Sequence, residues 1–457
     1  MFKKLFAPKD MTVGSPWKSI VAFTIPLLIG NIAQQLYSTV DSIVVGRFIG
    51  DNALASVGSA LPIVNVLLVL FMGISSGTTI MVSQYFGAKN REKLSYTIGN
   101  SIIVTGISCI FLILVTSPFI KPALYLLNTP EAIIDGCYDY LIISLWGIAG
   151  MAYYNILSAI IRGMGDSVSS LLYLLVATVI NIFLDIYFVV YVKMGIAGVA
   201  LATIIAQGVS SVLCLIKLSR MEEHFDFGIK YLKPVGEYVK TIVKLGLPSG
   251  LTQAIFSVAN ISVQSLSNCF GEMFIAANIV IMRVDGFAMM PNFSFAMALT
   301  TFAGQNVGAG LYDRVTKGAK QGTAIAFGCA VVLTGMILVF GKYLMGIFTT
   351  TPELVDMSYY LMSILAAGYV AMAITQSLCG VMRGSGDTVT PMWISIVTTV
   401  IIRVPLAYVI SYMTRTAELP HGRFECITVS LLIAWIIGGV ASVVFYRLGK
   451  WKNKAIK

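Results

Sequence analysis

The chain has 457 residues, of which 57% are hydrophobic and only 11% charged, with a mean hydropathy of +0.85. Such a balance cannot cover a globule of this size with polar surface, so a soluble protein is excluded and lipid must be the solvent for much of the chain. The net charge of +10 raises nucleic acid as a partner, but the placement of Lys and Arg described below assigns it to membrane topology instead.

The basic N-terminal stretch, residues 1–18, runs directly into the first apolar segment without a small-residue cleavage site. This predicts an uncleaved first helix rather than a signal peptide. Runs at 20–34, 102–119, 171–192 and 324–340 approach the roughly 20 residues that cross a bilayer as a helix. None shows the alternation of a barrel strand. Read in order, about twelve helical spans follow: 17–46, 53–86, 92–120, 131–161, 167–191, 196–218, 238–268, 273–305, 312–341, 353–382, 388–412 and 425–447.

The first span carries Pro26 with Gly30 one turn later, which permits a bend. Farther along it, Gln34, Tyr37, Ser38 and Asp41 share a face by i, i+3, i+4, i+7 spacing. The fourth span holds Asn155, the fifth Asn181 and Asp185 one turn apart, and the sixth Thr203. In the second half, Arg283, Asp285, Met289 and Pro291 fall in a Met- and Phe-rich eighth span, and Arg403 in the eleventh. That stretch suits an adaptable apolar wall for bulky ligands, and lipid-facing packing explains many of the same side chains.

Lys and Arg concentrate on alternate connections. One side receives Lys3, Lys4, Lys9 and Lys18, then Lys89, Arg91 and Lys93, then the cluster from Lys217 to Lys244. It also receives Arg314, Lys317 and Lys320 and the tail from Arg447 to Lys457, whereas the opposite side holds Arg47, Lys121, Lys193, Lys342, Arg415 and Arg423. The positive-inside rule then places both termini in the cytoplasm of a multi-pass protein of the cell membrane. The partners expected are the lipid bilayer and small molecules, with no nucleic acid and no cofactor, and a monomer is expected. The seven cysteines are scattered singly with no C-x-x-C pair, which reads as packing rather than a metal site or disulfide framework. The two histidines, His224 and His421, fall in loops, which argues against an intramembrane hydrolytic enzyme.

The chain also says nearly the same thing twice, about 221 residues apart. Arg162-Gly163-Met164-Gly165-Asp166 returns as Arg383-Gly384-Ser385-Gly386-Asp387, and Gln84-Tyr85-Phe86-Gly87-Ala88 as Gln305-Asn306-Val307-Gly308-Ala309. An internal repeat of apolar helices predicts an all-α integral membrane protein of twelve transmembrane helices in two six-helix lobes. With an even number of spans per lobe, a pseudo-twofold along the membrane normal should relate them. The expected division is an N-terminal lobe at 1–218, a charged cytoplasmic linker at 219–237, and a C-terminal lobe with a basic tail at 238–457. In the doubled Arg-Gly-x-Gly-Asp loop, the glycines allow a tight turn that an Arg/Asp pair could close. A substrate role for the loop is the other reading.

Ionisable groups inside spans cost at least ~2.5–3.5 kcal/mol on insertion scales and are functional candidates for that reason. Asp41 and Asp185, with amide and hydroxyl oxygens, make a hard, oxygen-rich set that suits Na⁺ or a shared proton. The alternative is an interfacial Asp41 with Asp185 held by a local hydrogen bond. The repeat places Val263 and Leu406 at the corresponding positions, so the carboxylate chemistry belongs to the first lobe. In the second, Asp285 paired with Arg403 or Arg283 is either a buried structural bridge or part of a substrate wall.

At these residues the sequence resembles the multidrug and toxic compound extrusion (MATE) family of cation-coupled antiporters. The resemblance is carried by Ile25-Pro26-Leu27-Leu28, Asp41-Ser42-Ile43-Val44-Val45-Gly46-Arg47, the two Gln-led motifs and the doubled loop. It implies two six-helix lobes and export of drugs and toxins, expected to be small organic cations, in exchange for Na⁺ or H⁺ by alternating access. In the branch resembling the DNA-damage-inducible and archaeal members, Asp41, Asn181, Asp185 and Thr203 match the cation site, Gln34 and Asn155 its supporting network, and Pro26 the bending proline of the first helix. Sodium coupling would make the same four residues the Na⁺ ligands. Another bacterial branch has acidic residues in the seventh and tenth spans, where this chain has Gln253, Gln264 and Gln376. A second-lobe cation site of that kind is therefore not expected unless Asp285 replaces it. A lipid-linked or polyisoprenoid flippase is the alternative transporter, and it would need a strongly basic cavity for which only Arg283 and Arg403 are candidates. A passive channel would dissipate a gradient without counter-transport.

Overall fold

In a computed structural model, residues 8–127 and 129–456 are described; Lys3, Lys4 and Lys457 of the expected basic flanks lie outside them. Twelve helical spans are present among the described residues when one bent pair is counted as a single span. In chain order they are α1 (Pro16–Phe48), α2 (Asp51–Gly87), α3 (Arg91–Leu126), α4 (Glu131–Trp146 and Ile148–Gly163), α5 (Ser167–Tyr191) and α6 (Ile196–Ser219). After a loop come α7 (Gly236–Phe270), α8 (Glu272–Gly308), α9 (Tyr312–Gly346), α10 (Pro352–Gly384), α11 (Val389–Met413) and α12 (Glu425–Arg447). Apolar segments in lipid have no water to satisfy their backbone, and a helix satisfies it within the segment.

Two spans depart from the simple expectation. The fourth breaks by 50° between Trp146 and Ile148. At the break Gly147 packs closely against α6, where an added Cβ would stand 2.2 Å from Ile204 Cδ1. In α11 the turn Val397–Arg403 is a π-helix, and α5 ends in a π-turn at Tyr187–Tyr191. Wide turns of this kind re-aim the side chains beside them. Pro26 does not interrupt α1, which runs from Pro16 to Phe48 as one helix.

The described residues fall into two compact units, one with the residues up to Asp10 and Ile25–Gly250, the other with Met11–Thr24 and Leu251 onward. This division does not fall at 219–237. The linker belongs to the first unit, where it is fastened along α3. Arg91 Nε and Nη2 donate to Asp226 Oδ1 at 2.9 and 2.6 Å, and Nη2 also to the Glu222 carbonyl at 2.6 Å. Asp226 N donates to Ser95 Oγ and Val235 N to Asn100 Oδ1, both at 2.8 Å. Phe225 is buried beneath. Hydrogen bonding to Arg91 holds the Asp226 carboxyl below its ordinary range. Its contribution is therefore present at neutral pH and is lost as pH falls through that lowered value. In the second unit the segment before α1 is tied down in the same manner. Met11 N donates to Gln305 Oε1 at 2.8 Å, and Arg314 Nη2 and Nη1 donate to the Val13 and Gly14 carbonyls at 2.8 and 2.7 Å.

The internal repeat extends to individual hydrogen bonds. Thr79 Oγ1 of α2 donates to the Ala159 carbonyl of α4 at 3.4 Å, and Thr300 Oγ1 of α8 to the Gly380 carbonyl of α10 at 3.1 Å. The two Arg-Gly-x-Gly-Asp loops also match, though not through an Arg/Asp clasp. Asp166 accepts from Ser169 N and Oγ at 2.9 and 2.6 Å, and Asp387 from Thr390 N and Oγ1 at 3.2 and 2.7 Å. Each aspartate thus caps the helix that follows. Arg162 turns instead to Ser158 and Ser170, and Asp166 meets Lys217 Nζ at 3.5 Å.

Replacing Asp166 by Ala removes a cap worth about 1 kcal/mol and the 3.5 Å contact with Lys217. Asp387→Ala removes the cap alone. Thermal unfolding of the purified protein should therefore show the larger drop in Tm for Asp166→Ala, and an equal drop would mean that Lys217 contributes nothing.

Candidate functional site

The first unit brings three of its helices together around carboxylates. Tyr37 and Asp41 lie one turn apart on α1, Asn181 and Asp185 one turn apart on α5, and Thr203 on α6. On α5 the helical period sorts the side chains sharply: Asn181 and Asp185 are fully buried, while Phe183 between them is 70% exposed. An apolar side chain faces outward at this depth and the polar ones face protein.

With the Asn181 amide turned so that its nitrogen meets the acids, it donates to Asp41 Oδ1 at 2.9 Å and to Asp185 Oδ2 at 3.1 Å. The amide oxygen then faces Thr203 Oγ1 at 3.5 Å, and Thr203 Oγ1 accepts from the Tyr37 hydroxyl at 3.2 Å. Donors and acceptors alternate without conflict from Tyr37 through Thr203 and Asn181 to the two acids. The two carboxyl groups, from different helices, thus meet on one amide. Asp185 Oδ1 is buried with no hydrogen-bond partner. Like charges brought this close on one amide favour sharing a proton or another cation.

Tyr140 of α4, buried as Asn181 and Asp185 are, lies near both acids and was not singled out from the sequence. The expected supporting residues are placed otherwise. Gln34 is exposed, and its backbone carbonyl accepts from Ser38 Oγ at 3.3 Å. Asn155 donates to the Met151 carbonyl of its own helix at 2.8 Å. Pro26 lies four turns before Asp41 on α1 and touches none of the bonds above.

In the second unit, Asp285 of α8 and Arg403 of α11 interact electrostatically, yet they do not form an ion pair. The ion pairs among the described residues are Arg91–Asp226, Lys217–Asp166 and Lys342–Asp356. Arg403 is 9% exposed and donates from Nη1 to Asn260 Oδ1 of α7 at 3.0 Å. The Tyr369 hydroxyl of α10 lies beside the Asp285 carboxyl and donates to Met362 Sδ at 3.1 Å. Arg283 is exposed and apart from this group, and Met289 is buried in the apolar core of the unit, where its sulfur meets Asn292 Nδ2 at 3.8 Å. Among the described residues no three His, Cys, Asp or Glu side chains converge as a metal site, and the seven cysteines are unpaired.

Comparison with known proteins agrees with both the repeat and the fold. The MatE family model matches residues 26–187 and, again, 248–409. The chain is 32% identical over 452 residues to the probable multidrug resistance protein YoeA of Bacillus subtilis, covering 97% of this chain and 96% of that one. It is 26% identical over 467 residues to the probable multidrug resistance protein NorM of Thermotoga maritima, covering 99% and 97%. Among solved structures, the outward-facing conformation of a multidrug resistance MATE family transporter superposes with a TM-score of 0.89 at 22% identity, over 98% of this chain and 99% of the other.

Proposed function

We propose that this chain, which belongs to the MATE family of multidrug efflux transporters, is a cation-coupled antiporter whose coupling site is the Asp41–Asn181–Asp185 cluster. As a multi-pass membrane transporter and not an enzyme, it needs an ion to load and unload, and the cluster is a place built for one. The carrying observation is the Asn181 amide that bridges two carboxylates of different helices, Asp185 fully buried and Asp41 half-buried. In the proposed cycle, cation loading neutralises the acids and rearranges their bonds, α1 bends near Pro26, and bound drug leaves. Drug binding from the cytoplasm favours the unloaded state. The coupling requires only that cation and drug prefer opposite states of one two-state machine.

Both H⁺ and Na⁺ fit the cluster chemically: a proton shared between the acids leaves the Asn181 amide nitrogen facing them. Sodium would have to be met by Asp41, Asp185, the Thr203 hydroxyl and an amide turned the other way, a set of oxygens chemically suited to it. Convergence of Asp41, Asn181, Asp185 and Thr203 also supports the branch resembling the DNA-damage-inducible and archaeal members. The basic connections support both termini in the cytoplasm and residence in the cell membrane. Substrates are small organic compounds bearing a cationic group, and the functional unit is a monomer.

Efflux from proteoliposomes under separately imposed gradients tests this reading. One of the two gradients alone should drive drug against its concentration, and the one that does identifies the coupling ion. If neither does, the antiport reading fails.

A further inference from the structure

The second unit, which takes in Met11–Thr24 at the start of α1, carries a groove of about 490 Å³ lined by Trp17 and Val21 of α1 and Gln321, Ala324 and Ile325 of α9. Its two walls begin at the same end. Arg314 of α9 donates to the Val13 and Gly14 carbonyls ahead of α1 at 2.8 and 2.7 Å. Two turns farther on, a Cβ added to Gly322 would stand 3.3 Å from Ile20 Cδ1. The helices therefore lie side by side and run in the same direction over their first turns. Trp17 is 43% exposed and Ala324 is exposed as well, so the groove opens outward.

Any lipid tail could cover an apolar groove, but the order of polarity along this one is more particular. At its near end stand Lys317, one turn before Gln321, and Lys320, one turn before Ala324. Lys18 joins them from α1, its Nζ 5.7 Å from the centre of the Trp17 ring. The three lysines are exposed, and none belongs to an ion pair among the described residues. Asp313, one turn before Lys317, adds one negative charge against their three positive ones. Next along α9 comes the Gln321 amide, and then the apolar walls Val21, Ala324 and Ile325. From Lys317 to Ile325 the helix rises about 12 Å. An anionic phospholipid offers the complementary order: a phosphate, ester carbonyls, then an acyl chain. Tryptophan favours the membrane interface, and basic pockets between spans take anionic headgroups. We propose that this groove binds one anionic phospholipid, its phosphate at Lys18, Lys317 and Lys320, an ester carbonyl accepting from Gln321, and an acyl chain along Val21, Ala324 and Ile325. A cationic amphiphile would meet three like charges at the same place, so the occupant is a lipid and not cargo. The site stands whether or not the chain couples export to a cation.

Native mass spectrometry of the purified full chain, titrated with phosphatidylglycerol and with phosphatidylcholine of the same acyl chains, tests this without any ion gradient. The first phosphatidylglycerol should bind at least about tenfold more tightly, since each lysine near an anionic headgroup contributes about a factor of five. Lys317→Gln with Lys320→Gln should weaken it about 25-fold and leave phosphatidylcholine unchanged. Ala324→Trp, at an exposed position, should fill the groove and remove the first site for both lipids. Lys230→Gln with Lys233→Gln, exposed on the linker, should change nothing. Equal affinity for the two lipids in the wild-type protein would mean a bulk lipid shell only and overturns the proposal, whatever the variants do. Equal weakening by the two lysine pairs, which would reveal diffuse charge, also overturns it. Tighter binding of dodecyltrimethylammonium than of phosphatidylglycerol, lost in Ala324→Trp, would make the groove a path for cargo and reject the lipid site.

Discussion

Asp41→Asn and Asp185→Asn proteins should insert, fold and bind drug, yet drive no efflux above that of protein-free liposomes. Asparagine keeps the shape of aspartate and can accept from the Asn181 amide, which in the parent donates to Asp41 at 2.9 Å and to Asp185 at 3.1 Å. It cannot gain or lose a proton, and it gives a cation no charge to bind. The variants therefore lose the loading step alone. Stability should move the other way. Two carboxylates of neighbouring spans bridged by one amide, one of them fully buried, oppose folding through like-charge proximity and desolvation. Removing one of them should leave Tm unchanged or raise it. Exchange of drug against an imposed gradient by either variant would remove the coupling role from this cluster, and a fall in Tm would recast the pair as structural.

The arrangement around those acids was legible in the sequence to an uneven degree. Helical spacing put Tyr37 and Asp41 on one face, and Asn181 and Asp185 on another, because i, i+4 neighbours must stack in a helix. Their convergence with Thr203 followed only from the resemblance, since nothing in spacing brings α1, α5 and α6 together. Gln34 shared the face of Asp41 by period alone, but it lies two turns away and is exposed, beyond the reach of a cluster only a few ångströms across. Asn155 was chosen as a polar residue within a span, and it spends its donor on Met151 of its own helix, an option that polar residues in lipid always have. Asp285 with Arg403 or Arg283 was open between a buried bridge and a substrate wall; no ion pair joins them, because charge in a sequence does not reveal the π-turn that fixes where Arg403 points. The unit boundary was missed for a related reason: charge and polarity marked 219–237 as a linker, but a polar segment can pack as firmly as an apolar one when its backbone is hydrogen-bonded, as Asp226 N and Val235 N are.

One signal stood in the sequence unread, and it carries the largest expected effect on folding. Gly73-Ile74-Ser75-Ser76-Gly77 of α2 and Gly246-Leu247-Pro248-Ser249-Gly250 of α7 are both small-residue stripes of period four, which let helix backbones approach closely where lipid offers no hydrophobic drive to pack. In the first unit they face one another: a Cβ on Gly77 would stand 2.4 Å from the Ile242 carbonyl oxygen, and one on Gly246 2.3 Å from the Gly73 oxygen. Ser76 Oγ donates to Ser249 Oγ across the crossing at 2.9 Å. The obstructing atoms are backbone, so neither helix can yield by a rotamer change. Gly77→Val and Gly246→Val should each cost at least ~3 kcal/mol, the upper part of the range for overpacking. That should appear as sharply reduced yield of monodisperse protein and a lowered Tm. Gly328→Ala and Gly335→Ala serve as controls, because a Cβ at either helical position meets nothing within 4 Å. There alanine should stabilise by about 0.5–1 kcal/mol through its better helix propensity. If the valine variants matched these controls in Tm, the α2–α7 crossing would not be closely packed in the membrane, and the placement of the first half of α7 in the first unit would have to be abandoned.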